Sequence, residues 1–158
     1  MAIRNLKEIY PDIIYTCIGY GDEEQNLKKL VIELKLENHI FFLKNIPNDL
    51  KNALVAKSNV FIMPSIIHKN SVEGFGIVFV EAAQYGIPSI GGKDGGAADA
   101  IIHEKTGLIC DGNNLDEIYS CINNLFNENK YLEFGKAAKQ NSQNFHWNKI
   151  IESYKKIL

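Results

Sequence analysis

Two glutamates, Glu73 and Glu81, stand eight residues apart, with Gly74, Phe75, Gly76 and Ile77 directly after the first. Gly74, Phe75 and Gly76 make a flexible turn whose backbone amides can approach a ligand closely. Where such a turn opens a helix, the N–H groups of the first helical turn lack partners within the helix. They favour an anion such as a phosphate. A helix that begins near Gly76 carries Glu81 about one and a half turns in. A carboxylate there can accept two hydrogen bonds from a vicinal diol, which a ribose presents. Phosphate at the helix start and ribose beside Glu81 together describe a nucleotide. Each feature alone is weak, because two glutamates at this spacing, or a Gly-x-Gly, are frequent by chance. Their order adds weight: Pro64-Ser65, Glu73-Gly74-Phe75-Gly76, Glu81-Ala82-Ala83 and Gly86-Ile87-Pro88 follow one another.

The elements that must position these residues read as strand and helix in alternation. Ile13–Gly19, His39–Leu43, Asn59–Met63, Ile87–Gly91 and Gly107–Cys110 are short apolar strands, the first ending in glycine, the third stopped by Pro64 and the fourth set between glycines. Glu23–Leu36 has Leu27, Leu30, Val31 and Leu34 at helical spacing. Further helices are expected at Asp49–Lys57, from the Gly74–Gly76 turn to about Tyr85, at Ala97–Ile101, and over 115–126, 130–141 and 147–158. Strands that are apolar throughout and followed by helices imply a doubly wound α/β domain, a parallel sheet with helices on both faces. Ligands of such sheets bind at the carboxyl ends of the strands, here just after Gly19, Leu43, Met63 and Ile90. The Gly91–Gly96 loop reads as a simple turn by which the chain leaves the sheet. Trp147 is expected to anchor the final helix on the core.

Composition narrows the function classes. The 158 residues fit one domain over 1–158, with 46% hydrophobic and 23% charged residues, which excludes a disordered chain. Lys and Arg number 17 against 19 Asp and Glu, so there is no broad basic field for nucleic acid. No apolar run approaches the ~20 residues of a membrane span, and Met1–Pro11 lacks the pattern of a secretory signal. Cys17, Cys110 and Cys121 are widely spaced and read as buried thiols in a cytoplasmic protein, without disulfides. His39, His103 and His146 show no metal-ligand spacing, and no metal or other cofactor is expected. His68 and Lys69 read as solvated loop residues, although Lys69 could assist a phosphate. A dinucleotide-binding oxidoreductase is disfavoured: Gly19-Tyr20-Gly21 is followed by Asp22 and Glu23, and no third glycine arrives at 24.

The ordered series resembles the carboxyl-terminal, nucleotide-sugar-binding domain of the retaining glycosyltransferases of family 4, which have the two-domain GT-B fold. Tyr10-Pro11-Asp12 and Cys17-Ile18-Gly19-Tyr20-Gly21-Asp22 resemble one of its glycine-containing segments, and Asn38–Asn45 the strand after it, with Asn45 where glycine is usual. Val60–Ser65, the full E-x7-E element from Glu73 to Glu81, Gly86-Ile87-Pro88, Asp94-Gly95-Gly96 and Lys105-Thr106-Gly107-Leu108-Ile109 complete it. The resemblance implies a nucleoside diphosphate sugar as donor. Glu73 would face the donor sugar near the reacting centre, as the catalytic candidate. Gly74, Phe75, Gly76 and Ile77 would offer amides to the sugar and diphosphate. Glu81 would bind the ribose, Asn45 and Ile46 would lie beside the base, and Gly19 and Gly21 would line the cleft.

The departure is at the start. The family's domain opens with a central strand and a loop carrying an Arg and a Lys, which neutralise the leaving diphosphate. Here the chain begins in the helix that normally follows, so the sheet is expected to lack its first, central strand. The implied activity is transfer of a hexose to a hydroxyl acceptor, saccharide or lipid, through an acceptor domain absent from these residues. Peripheral membrane contact and cell-envelope polysaccharide synthesis are implied for the parent protein only. Alone, this donor-binding domain is expected to be inactive. The alternative is a non-catalytic nucleotide or nucleotide-sugar binding module.

Overall fold

The computed structural model describes residues 1–67 and 74–156. The expected alternation is present: α1 (Ala2–Leu6), β1 (Tyr15–Ile18), α2 (Glu24–Glu33), β2 (Ile40–Leu43), α3 (Asn48–Lys57) and β3 (Phe61–Met63) come first. Then follow α4 (Ile77–Gln84), β4 (Ser89–Gly92), α5 (Ala97–Ala100), β5 (Gly107–Cys110), α6 (Leu115–Phe126), α7 (Lys130–Ser142) and α8 (Trp147–Lys155). Short 3-10 turns at Asn127–Asn129 and Gln143–Phe145 precede α7 and α8.

Every strand pairing is parallel, as a βαβ chain requires. The five strands form two ladders, β1–β2 and β3–β4–β5, flanked by helices. The chain divides into two compact units, Met1–Ala53 and Leu54–Leu158.

In the first unit, Tyr15 stands opposite Ile40 and Ile18 opposite Leu43. Leu6, Ile13 and Leu36 are its buried apolar residues. The helical stripe of α2 is less covered than its periodicity suggests: Leu27 is 43% exposed and Leu30 38%. A two-stranded ladder offers little apolar surface for a helix to cover.

Among the described residues, the second unit holds thirteen of the buried apolar side chains. β4 is its central strand and is buried throughout. Phe79, Val80, Ala97, Ala100 and Ile101 pack as one cluster, joining α4 and α5, with Phe61, Met63, Ile109 and Phe145 against it. Phe61 meets Phe79 edge to face, ring centroids 5.9 Å apart. Each fully buried side chain of this size stabilises the fold by roughly 1.5–3 kcal/mol. Elements also approach backbone to backbone at glycines. A Cβ on Gly92 would strike the Ser65 backbone, one on Gly112 the Pro64 carbonyl, and one on Gly135 in α7 the Gly86 carbonyl.

Trp147 does not anchor the last helix. It is 76% exposed, and Ile151 and Tyr154 share its side of α8 at 46% and 65%. The cause is placement: α8 packs chiefly on the 3-10 turn before it, so the stripe finds no core beneath.

Candidate functional site

β3 ends at Met63, and the Ser65 amide donates back to the Met63 carbonyl at 2.9 Å. That bend and Pro64 stop the strand and send the chain out over its carboxyl end. Glu73, together with His68 and Lys69, lies outside the described residues. The chain is described again from Gly74, directly before the turn that opens α4.

Gly76 is the N-cap of α4, at φ 76° and ψ 54° in the left-handed region, and among the described residues no side chain caps the helix. The Phe79 amide donates to the Gly76 carbonyl at 2.9 Å. The amides of Gly76, Ile77 and Val78 precede the first intrahelical bond and point out of the helix start. A side-chain cap would fill that place; here it is left to backbone. Gly74 is exposed, and Phe75 and Ile77 are 38% and 67% exposed. Glu81, one turn beyond Ile77, is exposed on the same face, whereas Phe79, Val80 and Ala82 are buried. So the helix turns one face to the core and presents Ile77 and Glu81 beside the turn. An anion at the amides and a diol at the carboxylate fit this face. A cavity of about 10 Å³, lined in part by Ser89, Thr106 and Asn141, touches Phe79 and Val80 on the buried side of α4. It has room for about one water and none for a nucleotide.

The turn is held from behind. A Cβ on Gly96 would collide with the Gly74 carbonyl and the Phe75 Cα. The Asp94–Gly96 loop therefore does more than let the strand leave the sheet; it backs the turn. The Gly95-Gly96 pair was its only sign in the sequence. Phe75 lies against Phe145, ring centroids 5.5 Å apart, a contact that no spacing pattern announced. At the far end α4 stops in a Schellman arrangement: Gly86 at φ 80° donates to Ala83, and Ile87 to Ala82.

Asn45 and Ile46 belong to the first unit, after β2. Asn45 is exposed with φ 53°, in the left-handed region that asparagine tolerates better than most residues. That conformation explains how Asn can stand in a glycine position. Gly19 and Gly21 are in the same unit, with open space where their side chains would be. The second unit thus brings together Gly74, Phe75, Gly76, Ile77 and Glu81.

The remaining polar groups do structural work. His39 Nδ1 lies 2.9 Å from the Ile13 carbonyl, and the Ile109 amide donates to His103 Nδ1 at 2.9 Å. Lys93 pairs with Asp111 at 2.7 Å, bridging the ends of β4 and β5. Lys93 first, and then the Asn113 amide, hold the Asp111 carboxyl below the usual carboxylate range. Among the described residues no three His, Cys, Asp or Glu side chains come together as a metal site. No helix among the described residues is long and apolar enough to cross a membrane. The three cysteines are unpaired; Cys110 is buried, and Cys17 and Cys121 are half-buried. A hydrogen bond with Cys121, and then burial, push the Cys110 thiol up.

Comparison with known proteins fixes the lineage. Residues 1–143 match the family described as Glycosyl transferases group 1. This chain belongs to the group 1 glycosyl transferases. Among its relatives is the GDP-mannose-dependent alpha-(1-6)-phosphatidylinositol monomannoside mannosyltransferase of Mycolicibacterium smegmatis, 31% identical over 152 residues. That alignment takes in 93% of this glycosyl transferase chain and 38% of the relative. The chain therefore spans well under half the length of that curated relative. Two solved structures share the fold. The pneumococcal O-GlcNAc transferase in complex with UDP and GlcNAc superposes at TM-score 0.82 and 21% identity, over 99% of this chain and 31% of that one. Sucrose-phosphate synthase from Thermosynechococcus elongatus gives TM-score 0.80 and 22% identity, over 99% and 40%. Both are GT-B glycosyl transferases. The α/β fold expected from the strand and helix pattern is the fold of this family.

Proposed function

We propose that this chain is the donor-binding part of a metal-independent hexosyltransferase of family 4, which moves a hexose from a nucleoside diphosphate sugar to a hydroxyl acceptor with retention at the anomeric carbon. The observation that carries the reading is the uncapped start of α4 beside Glu81 on one exposed face. The amides of Gly76, Ile77 and Val78, with Gly74 and Phe75 before them, meet the diphosphate and sugar. Glu81 accepts two hydrogen bonds from the ribose. Asn45 and Ile46 stand toward the base, and Glu73 places the donor sugar at the reacting centre. A UDP-bound neighbour of the same fold supports a nucleotide as ligand.

The chemistry is chiefly leaving-group stabilisation, because negative charge gathers on the diphosphate as the sugar departs. Amides already aimed at that charge need no reorganisation. The acceptor, a saccharide or a lipid, meets the donor through residues beyond this chain. The chain alone binds donor without turning it over. The parent protein works in the cytoplasm, with peripheral membrane contact where its acceptor is a lipid.

Calorimetric titration with UDP, GDP and ADP and their sugars tests this. One base is expected to bind selectively. Glu81→Ala is expected to weaken that binding about 10- to 100-fold, the loss of about 1.5–3 kcal/mol in hydrogen bonds to a charged group. A folded chain that binds none of them, or a Glu81→Ala variant that binds as tightly as the parent, overturns the reading.

A further inference from the structure

The Gly74–Gly76 turn is fixed at each of its three residues by a different part of the second unit. The Gly96 backbone closes on the Gly74 carbonyl. The Phe79 ring lies so close beneath Gly76 that a Cβ there would come within 2.5 Å of it. Between these, the Phe75 ring leans on Phe145 at a 58° tilt. Gly96 and Phe79 come from segments next to the turn in the fold. Phe145 comes from the 3-10 turn Gln143–Phe145, between α7 and α8, far along the chain.

We infer that Phe145 is a positioning residue: by holding Phe75 it sets the direction of the amides at the start of α4. This rests on the donor-site reading above. Three observations carry it. Phe75 is 38% exposed and so is not locked by burial of its own. Phe145 is half-buried and packs on the cluster of Phe79, Val80, Ala97, Ala100 and Ile101, so its ring has a fixed backing. Gly74 and Gly76 on either side have no side chains with which to stiffen the turn. With Phe145 removed, the middle residue of the turn loses its hold while both ends keep theirs. The fold survives, but the amides lose their common aim, and affinity for a diphosphate depends on that aim.

The test compares Phe145→Leu, which keeps apolar bulk, with Phe145→Tyr, which keeps the ring. Phe145→Leu is expected to lose about tenfold in affinity for the nucleoside diphosphate. Its affinity for the bare nucleoside, read by ligand-observed NMR, is expected to stay within about twofold. Amide hydrogen exchange across the second unit is expected to stay unchanged, the sign of an intact fold, and Phe145→Tyr is expected to restore the diphosphate affinity. Diphosphate affinity unchanged in Phe145→Leu overturns the proposal and leaves the donor site standing. So does an equal loss for nucleoside and diphosphate with exchange raised throughout the second unit, the mark of a merely structural residue. A parent chain that binds no nucleoside diphosphate overturns both readings.

Discussion

At Gly76 two constraints meet that bear on different properties. Its φ of 76° costs an L-residue about 1–2 kcal/mol. An added Cβ would also press on a Phe79 ring that is 1% exposed and cannot move aside. Gly76→Ala is therefore expected to destabilise the second unit by about 2 kcal/mol or more, read by urea unfolding. Gly74 is the contrast. Among the described residues nothing lies within 4 Å of its added Cβ, so Gly74→Ala is expected to leave stability within about 0.5 kcal/mol. If the Gly74 amide faces the donor, the same variant loses nucleotide affinity, which calorimetry reads. Fold and ligand thus separate across two glycines of one turn. Asn45 shows what residue-scale reading of the sequence could not supply. Its departure from glycine was visible, but its left-handed backbone, which makes the exchange tolerable, was not.

Among the elements, α6 has the most explicit start. The Asn114 Oδ1 accepts from the amides of Asp116 at 3.0 Å and Glu117 at 3.3 Å. The Glu117 carboxylate reaches back to the Asn114 side chain at 3.0 Å and to the Asp111 amide at 2.8 Å. Asn114→Ala is expected to cost about 1 kcal/mol and Asn114→Asp much less, measured by denaturant unfolding. α4 starts instead at Gly76, which brings no side chain to the cap. The ends of α6 and α7 were legible to within a residue, at 115–126 and 130–141 against Leu115–Phe126 and Lys130–Ser142. Burial of α2 and α8 was not legible. Periodicity says which face of a helix is apolar, not whether the fold sets anything against it. Leu30 and Trp147 both sit on apolar faces that stay largely open.

Over the whole molecule the core is unevenly shared. Among the described residues, three of the buried apolar side chains lie in Met1–Ala53 and thirteen in the second unit. Native-state hydrogen exchange is expected to give β1 and β2 about a hundredfold less protection than β4 and β5, a difference near 3 kcal/mol. Equal protection would show that both ladders open together. That the strands pair in parallel followed from the apolar runs and the helices between them. Periodicity alone does not say which strand neighbours which. Of the candidate site, the glycine turn, the helix it opens and the place of Glu81 on that helix were legible. Its supports, Gly96 and Phe145, were hidden because they act by touching the turn from distant positions, with no chemistry of their own.

The glycines where one backbone lies on another carry a consequence for variation. At Gly92, Gly96, Gly112 and Gly135 the obstacle to a side chain is a main-chain atom of another segment, which has no rotamer to yield. In a library of all single substitutions these positions are expected to be blank columns, with alanine lost as readily as tryptophan. Gly21, with open space around it, is expected to accept most residues. Descendants of this sequence are then free to diverge over the faces of their helices while the small residues between them stay in place.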